Sequence, residues 1–157
     1  MKIFFIISIL IAVAIVAILL VSAQSSKSGS AVGLVDGVLA DCPSKPNCFC
    51  SENKNDSEHY VEPINYGDLE FEAVVETLKS IVVECGGEVQ KHDNAYLGST
   101  FSSPLLGFVD DVEFRIDRTE KKVHIRSASR VGHSDLGANK KRISTIKKLF
   151  QQKSLKN

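Results

Sequence analysis

The stretch VDDVEFRIDRTEKKVHIRSAS, residues 109–129, decides the fold. Val112, Phe114 and Ile116 alternate with Asp111, Glu113 and Arg115, and Val123 and Ile125 alternate with His124 and Arg126. Period-two alternation on both sides of a short polar break predicts two antiparallel strands, Val109–Asp117 and Lys122–Ser129, joined through Arg118–Lys121. Pairing Asp117 with Lys122 sets Glu113 opposite Arg126 and Arg115 opposite His124, with Asp111 diagonal to Arg126 and near Arg130. One face of the hairpin is then apolar and the other charged. The apolar face demands a second layer.

That layer is written on both sides. Phe71, Val74, Val75, Leu78, Ile81, Val82 and Cys85 fall at helical spacing, with Asp68 as N-cap, Glu70 and Glu72 in the first turn and Gly86-Gly87 as the stop. Downstream, Ile143, Ile146, Leu149 and Phe150 form one stripe of a second helix, with Lys140, Lys141, Lys147 and Lys148 on the other side. Between the first helix and the central hairpin, Glu88–His92 and Tyr96–Phe101 flank Asp93-Asn94, which predicts another hairpin. His59–Ile64 reads as a short edge strand limited by Pro63. The order β-α-β-β-β-β-α predicts an α+β domain with an antiparallel sheet of four to five strands and two packed helices. It is similar to the element order of TATA-binding-protein-like and helix-grip folds, an analogy of fold that licenses no function.

The first 23 residues are of another kind. Ile3 to Ala23 is interrupted only by Ser8 and Ser22, and a run of that length matches a bilayer's hydrocarbon core. It predicts a retained transmembrane anchor. Val21-Ser22-Ala23 before Gln24 also offers a signal-peptidase site, so cleavage near Ala23 is the alternative. With only Met1-Lys2 ahead of the segment, insertion leaves the N-terminus inside, and either route places the domain outside the cytoplasm. Residues 24–40, opening with the small, polar QSSKSGSAVG, predict a flexible tether. The domain is expected over 41–152, with 153–157 as a tail.

Of 157 residues, 19 are basic and 19 acidic, which excludes a strong global field and argues against nucleic acid as a partner. The four cysteines, Cys42, Cys48, Cys50 and Cys85, are all disulfide candidates in an exported domain. Cys42–Cys48, across two prolines, is the favoured pair, with Cys50 free or reaching Cys85. A zinc site from Cys42, Cys48, Cys50 and His59 is the competing reading, but paired C-x-x-C knuckles are absent, so no metal and no cofactor is expected. Asn55-Asp56-Ser57 is a glycosylation sequon.

The candidate site follows from the charged face and the loop after it. Asp110, Asp111, Glu113, Arg126 and Arg130 form an acid–arginine ladder whose bland reading is solvated ion pairs of ~0–1 kcal/mol each. The functional reading leaves Arg126 or Arg130 as a fork-shaped donor for an anionic group. The loop adds Ser127, Ser129, His133, Asp135, Asn139 and Arg142 ahead of and within the last helix. Ser134 or Asp135 can cap that helix. A hydrolase built on Ser127 or Ser129 with His133 and Asp135 has the residue types but lacks a G-x-S-x-G elbow.

Cys42-Pro-Ser-Lys-Pro-Asn-Cys48, Leu106-Gly-Phe-Val-Asp-Asp-Val-Glu-Phe114 and Arg126-Ser-Ala-Ser-Arg-Val-Gly-His-Ser-Asp-Leu-Gly-Ala-Asn-Lys-Lys-Arg142 closely resemble the three signatures of domain-of-unknown-function family 1499. The resemblance covers roughly Leu39 to Phe150. It implies weight on Cys42, Cys48, Phe108, Asp110, Asp111, Arg126, Ser127, Ser129, Arg130, Asp135, Gly137, Asn139 and Arg142, and it implies no activity. Phe49-Cys50-Ser51 departs from the family's Cys-Val-Ser-Ser context. The expectation is a membrane-tethered, non-enzymatic module that binds an unknown protein or small anionic or apolar ligand. A lipid-like carrier using Phe101, Leu105, Leu106 and Phe108 stands second, and the hydrolase third.

Overall fold

The structure is a computed structural model describing residues 2–155. A long helix, α1 (Lys2–Lys27), leads into a small hairpin, β1 (Leu34–Val35) and β2 (Val38–Leu39). Then come β3 (Cys48–Cys50), β4 (Ile64–Asn65), α2 (Phe71–Glu84), β5 (Gly87–Asp93), β6 (Tyr96–Ser102), β7 (Val109–Asp117), β8 (Lys122–Ser129) and α3 (Ala138–Ser154). The main sheet has the order β3-β8-β7-β6-β5, and β4 shares the β8 edge with β3. Every pairing among these strands is antiparallel. The architecture is therefore α+β, with six strands where four to five were expected.

The central hairpin has the expected register: Asp117 faces Lys122, Arg115 faces His124 and Glu113 faces Arg126. Its turn is held by the Asp117 carboxylate, which accepts from the amides of Thr119 and Glu120, both at 2.9 Å. Val112, Phe114, Ile116, Val123 and Ile125 form one face and pack with Val74, Leu78, Ile81 and Val82 of α2 and Ile143, Ile146 and Phe150 of α3. Alternation on the strands and a 3.6 period on the helices thus converge on one core. Burying a Leu, Ile or Phe side chain contributes about 1.5–3 kcal/mol, so this layer supplies most of the driving force.

Five local expectations are corrected, the first being the tail over 153–157: α3 runs through Lys153 and Ser154, and residues 156–157 lie outside the described residues. Residues 24–40 are not a free tether: α1 runs on to Lys27, and β1 and β2 fold back with Leu39 buried. The Asp36-Gly37 turn between them has positive φ at both residues, 51° and 84°, which suits the twist of a two-residue hairpin. The strand expected at His59–Ile64 shrinks to a single bridge from Tyr60 to Cys50 plus the two-residue β4, because Pro63 brings no N–H to a ladder. β3 was not expected at all; Cys48, Phe49 and Cys50 are all buried, so the segment shows no polar alternation to read. At the start of α2 the N-cap position is Glu70 rather than Asp68, and it makes no side-chain cap.

Cys42 and Cys48 form the disulfide, while Cys50 and Cys85 are free thiols. That pairing removes two ligands of the zinc alternative, and His59 is spent on Asp56 and the Lys45 carbonyl. Among the described residues no cluster able to hold a metal ion is present.

Candidate functional site

The charged face of the sheet is an internal framework. Glu113 is fully buried and accepts from Tyr96 Oη at 2.8 Å, Arg126 Nη1 at 2.9 Å and the Gly33 amide at 2.7 Å. The Tyr96 ring can cross toward Glu113 because position 98 is glycine, where a Cβ would meet the phenol oxygen at 2.9 Å. Burial, and then the Glu113 charge, push the Tyr96 phenol far above its ordinary range. Asp111 takes a two-point fork from Arg130, at 2.8 Å from Nε and 2.7 Å from Nη2. The third arm of Arg130 donates to the Ser26 carbonyl at 3.0 Å, and Ser26 Oγ accepts from the Val109 amide at 3.1 Å. At the other end of the face, Arg115 holds Glu52 through two bonds of 2.7 and 2.9 Å and Asp117 at 3.1 Å.

The residues once expected to be a tether cover this face. Gly33 donates to Glu113, and Leu39 donates to Glu52 at 3.2 Å. Leu39 also packs with Tyr96, Cys50 and Cys42, and the Cys42–Cys48 bond fastens the end of the clasp to β3. Cys50 is buried beneath it, and burial pushes its thiol up to about 11, which disfavours the reactive thiolate. Arg126 Nε, also buried, has no hydrogen-bond partner. Neither Arg126 nor Arg130 is left as an open fork for an anion.

A second network lies where β8 meets α3. Asn139 is fully buried; its carbonyl oxygen accepts from Ser127 Oγ at 2.5 Å and from Arg142, and its amide donates to the Asn47 carbonyl at 2.9 Å and to Ser129 Oγ at 3.0 Å. Arg142 bonds Asp110 at 2.8 Å and lies over the Phe101 ring. The N-cap of α3 is neither Ser134 nor Asp135 as expected, although the Asp135 carboxylate, two residues ahead of it, accepts from the Gly137 and Asn139 amides at 3.0 and 2.6 Å. Gly137 stands at the N-cap with φ 81°, a conformation that glycine adopts without strain.

The hydrolase arrangement is not assembled. His133 is exposed, Asp135 is committed to backbone amides, and Ser127 and Ser129 turn to Asn139. The carrier's apolar residues are also dispersed: Phe101 is buried against α3's Arg142, while Leu105 is 91 % exposed. Glu52, Tyr96, Ser26 and Asn47, all parts of the two networks, went unforeseen. They sit outside any periodic segment or take partners far away in sequence, so no local signal marks them.

Among the openings that remain, a polar one of ≈ 570 Å³ lies over Glu52, Arg115 and His124, and a cleft of ≈ 490 Å³ with more apolar walls lies at the end of the sheet where α1 arrives. Leu19, Phe108, Val131 and Leu136 supply apolar wall, and Asp110, Ser129, Ser134 and Asp135 supply polar atoms. Ser129 accepts from Asn139 and keeps its own O–H. Three of the residues singled out from sequence, Asp110, Ser129 and Asp135, thus face both the second network and this opening. The core itself is filled by side chains, so an amphiphile would meet the domain here rather than inside it. The family model described as Protein of unknown function (DUF1499) matches residues 38–150, whereas no curated protein and no solved structure matches the chain.

Proposed function

The chain belongs to the DUF1499 family of proteins of unknown function, and from that premise we propose that it is a membrane-tethered, extracytoplasmic binding module whose ligand enters the cleft beside α1. The observation that carries this reading is the cleft's composition: an apolar wall from Leu19, Phe108 and Leu136 against the oxygens of Asp110, Ser129 and Ser134. Pockets that fix small molecules combine apolar area with a few placed polar groups. Because the polar groups are carboxylates and hydroxyls, and the arginines nearby are already paired, the ligand is an amphiphile with a hydrogen-bond-donating head rather than an anion. The apolar helix supports the tether. The disulfide supports an oxidising space outside the cytoplasm.

The Asp/Arg face has a positioning part in this reading. Arg142 orients Asp110, and Asn139 orients Ser129. Native mass spectrometry of the full chain from its own membranes, in mild detergent, tests the proposal. The wild type should carry a small amphiphile, and S134W, at an exposed position that narrows the cleft, should lose it with an unchanged melting temperature. A wild type that carries nothing overturns the reading.

A further inference from the structure

The geometry points to a domain seated directly on the bilayer, with the turn around Leu105 and the loop around Leu136 immersed at the interface. The inference rests on α1 as a retained anchor and goes beyond the cleft. At ~1.5 Å per residue, Ile3 to Ser22 spans roughly the 30 Å of a hydrocarbon core, which puts the boundary near Ser22. Lys2 and Lys27, at the two ends of α1, then stand at headgroup level.

The domain begins at that boundary with no spacer. Ala23 and Ser26 are 2 % and 0 % exposed, buried by the domain itself. Val109 and Arg130 both bond Ser26, which fixes the last turn of α1 to the start of β7. Leu19 lies about one turn, ~5 Å, inside Ser22, yet it shares the cleft with Phe108 and Leu136. Those side chains are therefore held at the depth of the hydrocarbon edge. Gly107 lies beside the Lys27 side chain, which brings the other loop to the headgroup side of the same interface.

The side chains suit that depth. Leu105 is 91 % exposed and Leu136 98 % exposed, and Leu136 is held at φ 54°, a costly backbone conformation for a leucine. Nothing in the domain covers either one. The bilayer that receives α1 is the one occupant continuous with both loops. Immersed leucines would add apolar burial to the anchor and hold the cleft open toward lipid.

The chain has no tryptophan, so single-tryptophan variants of the full protein in nanodiscs report depth one site at a time. L10W marks mid-helix, L105W and L136W mark the loops, and T119W marks the turn at the far end of β7. Brominated lipid should roughly halve the emission of L10W, L105W and L136W, with a blue shift, and leave T119W unchanged. If L10W is quenched while L105W or L136W behaves like T119W, the anchor stands and the seating is overturned. If L10W is not quenched, the anchor reading fails and the seating fails with it.

Discussion

Glu113 shows how much one side chain can hold. Buried with no exposure, it receives a strand neighbour, a phenol and the clasp at once. Replacing it with glutamine keeps an acceptor for Tyr96 and Gly33 but strands the Arg126 cation, whose Nε already has no partner. Breaking a buried pair from one side costs about 3–5 kcal/mol. E113Q should therefore unfold at markedly lower urea, and a loss below ~1 kcal/mol, the surface-pair range, would show that Arg126 is solvated. A second residue sets the acid response. Burial lowers the pKa of His124 although the Glu52 carboxylate 3.1 Å away works to raise it. The folded state thus binds this proton less readily than the unfolded chain, so its stability is intact above about pH 6.5 and declines as the pH falls through that value. For Glu52, burial raises the pKa, but bonds from Arg115 and the Leu39 amide outweigh it and leave it lowered. Its contribution persists above the ordinary carboxylate range and fades only at lower pH, as the folded group protonates. Melting temperature should fall between pH 7.5 and 5.5 in the wild type and fall less in H124Q. Equal slopes would assign the acid response elsewhere.

Among the elements, the segment between α1 and β3 changes most between sequence and structure. Its small residues predict a free linker, yet long-range bonds to Glu113 and Glu52 and the burial of Leu39 turn it into a clasp over the charged face. The Cys42–Cys48 bond fastens its far end. Closing so short a loop contributes about 2 kcal/mol through the unfolded chain. The C42S/C48S double variant should lose about that much, and its Gly33 and Leu39 amides should exchange faster with solvent. Unchanged protection at those amides would show that the hairpin holds by its own bonds. The helices and the long strands needed no such correction. Their apolar residues repeat at the period of the element itself, so α2, α3 and the β5–β8 meander are visible in any local window.

For the whole molecule, the sheet separates an apolar helix layer from a charged layer partly covered by the clasp, and α1 enters at the end where the cleft opens. Near-neutral net charge suits a protein that pairs most of its buried charges internally. Sequence by itself determined the apolar N-terminal helix, the two amphipathic helices, the four long strands, the register of the central hairpin and the short disulfide loop. Each of these depends on neighbours within a few residues or on a strict period. Only the tertiary structure decided what the signature residues touch: that Arg130 reaches Ser26, that Asn139 ties α3 to β8 and to the residue before β3, and that Asp111 and Glu113 are closed in rather than offered to a ligand. The same is true of the clasp and the cleft. Their partners lie as far as 104 positions apart along the chain, and hydrogen-bond satisfaction across such distances is set by how the layers dock, which no local pattern records.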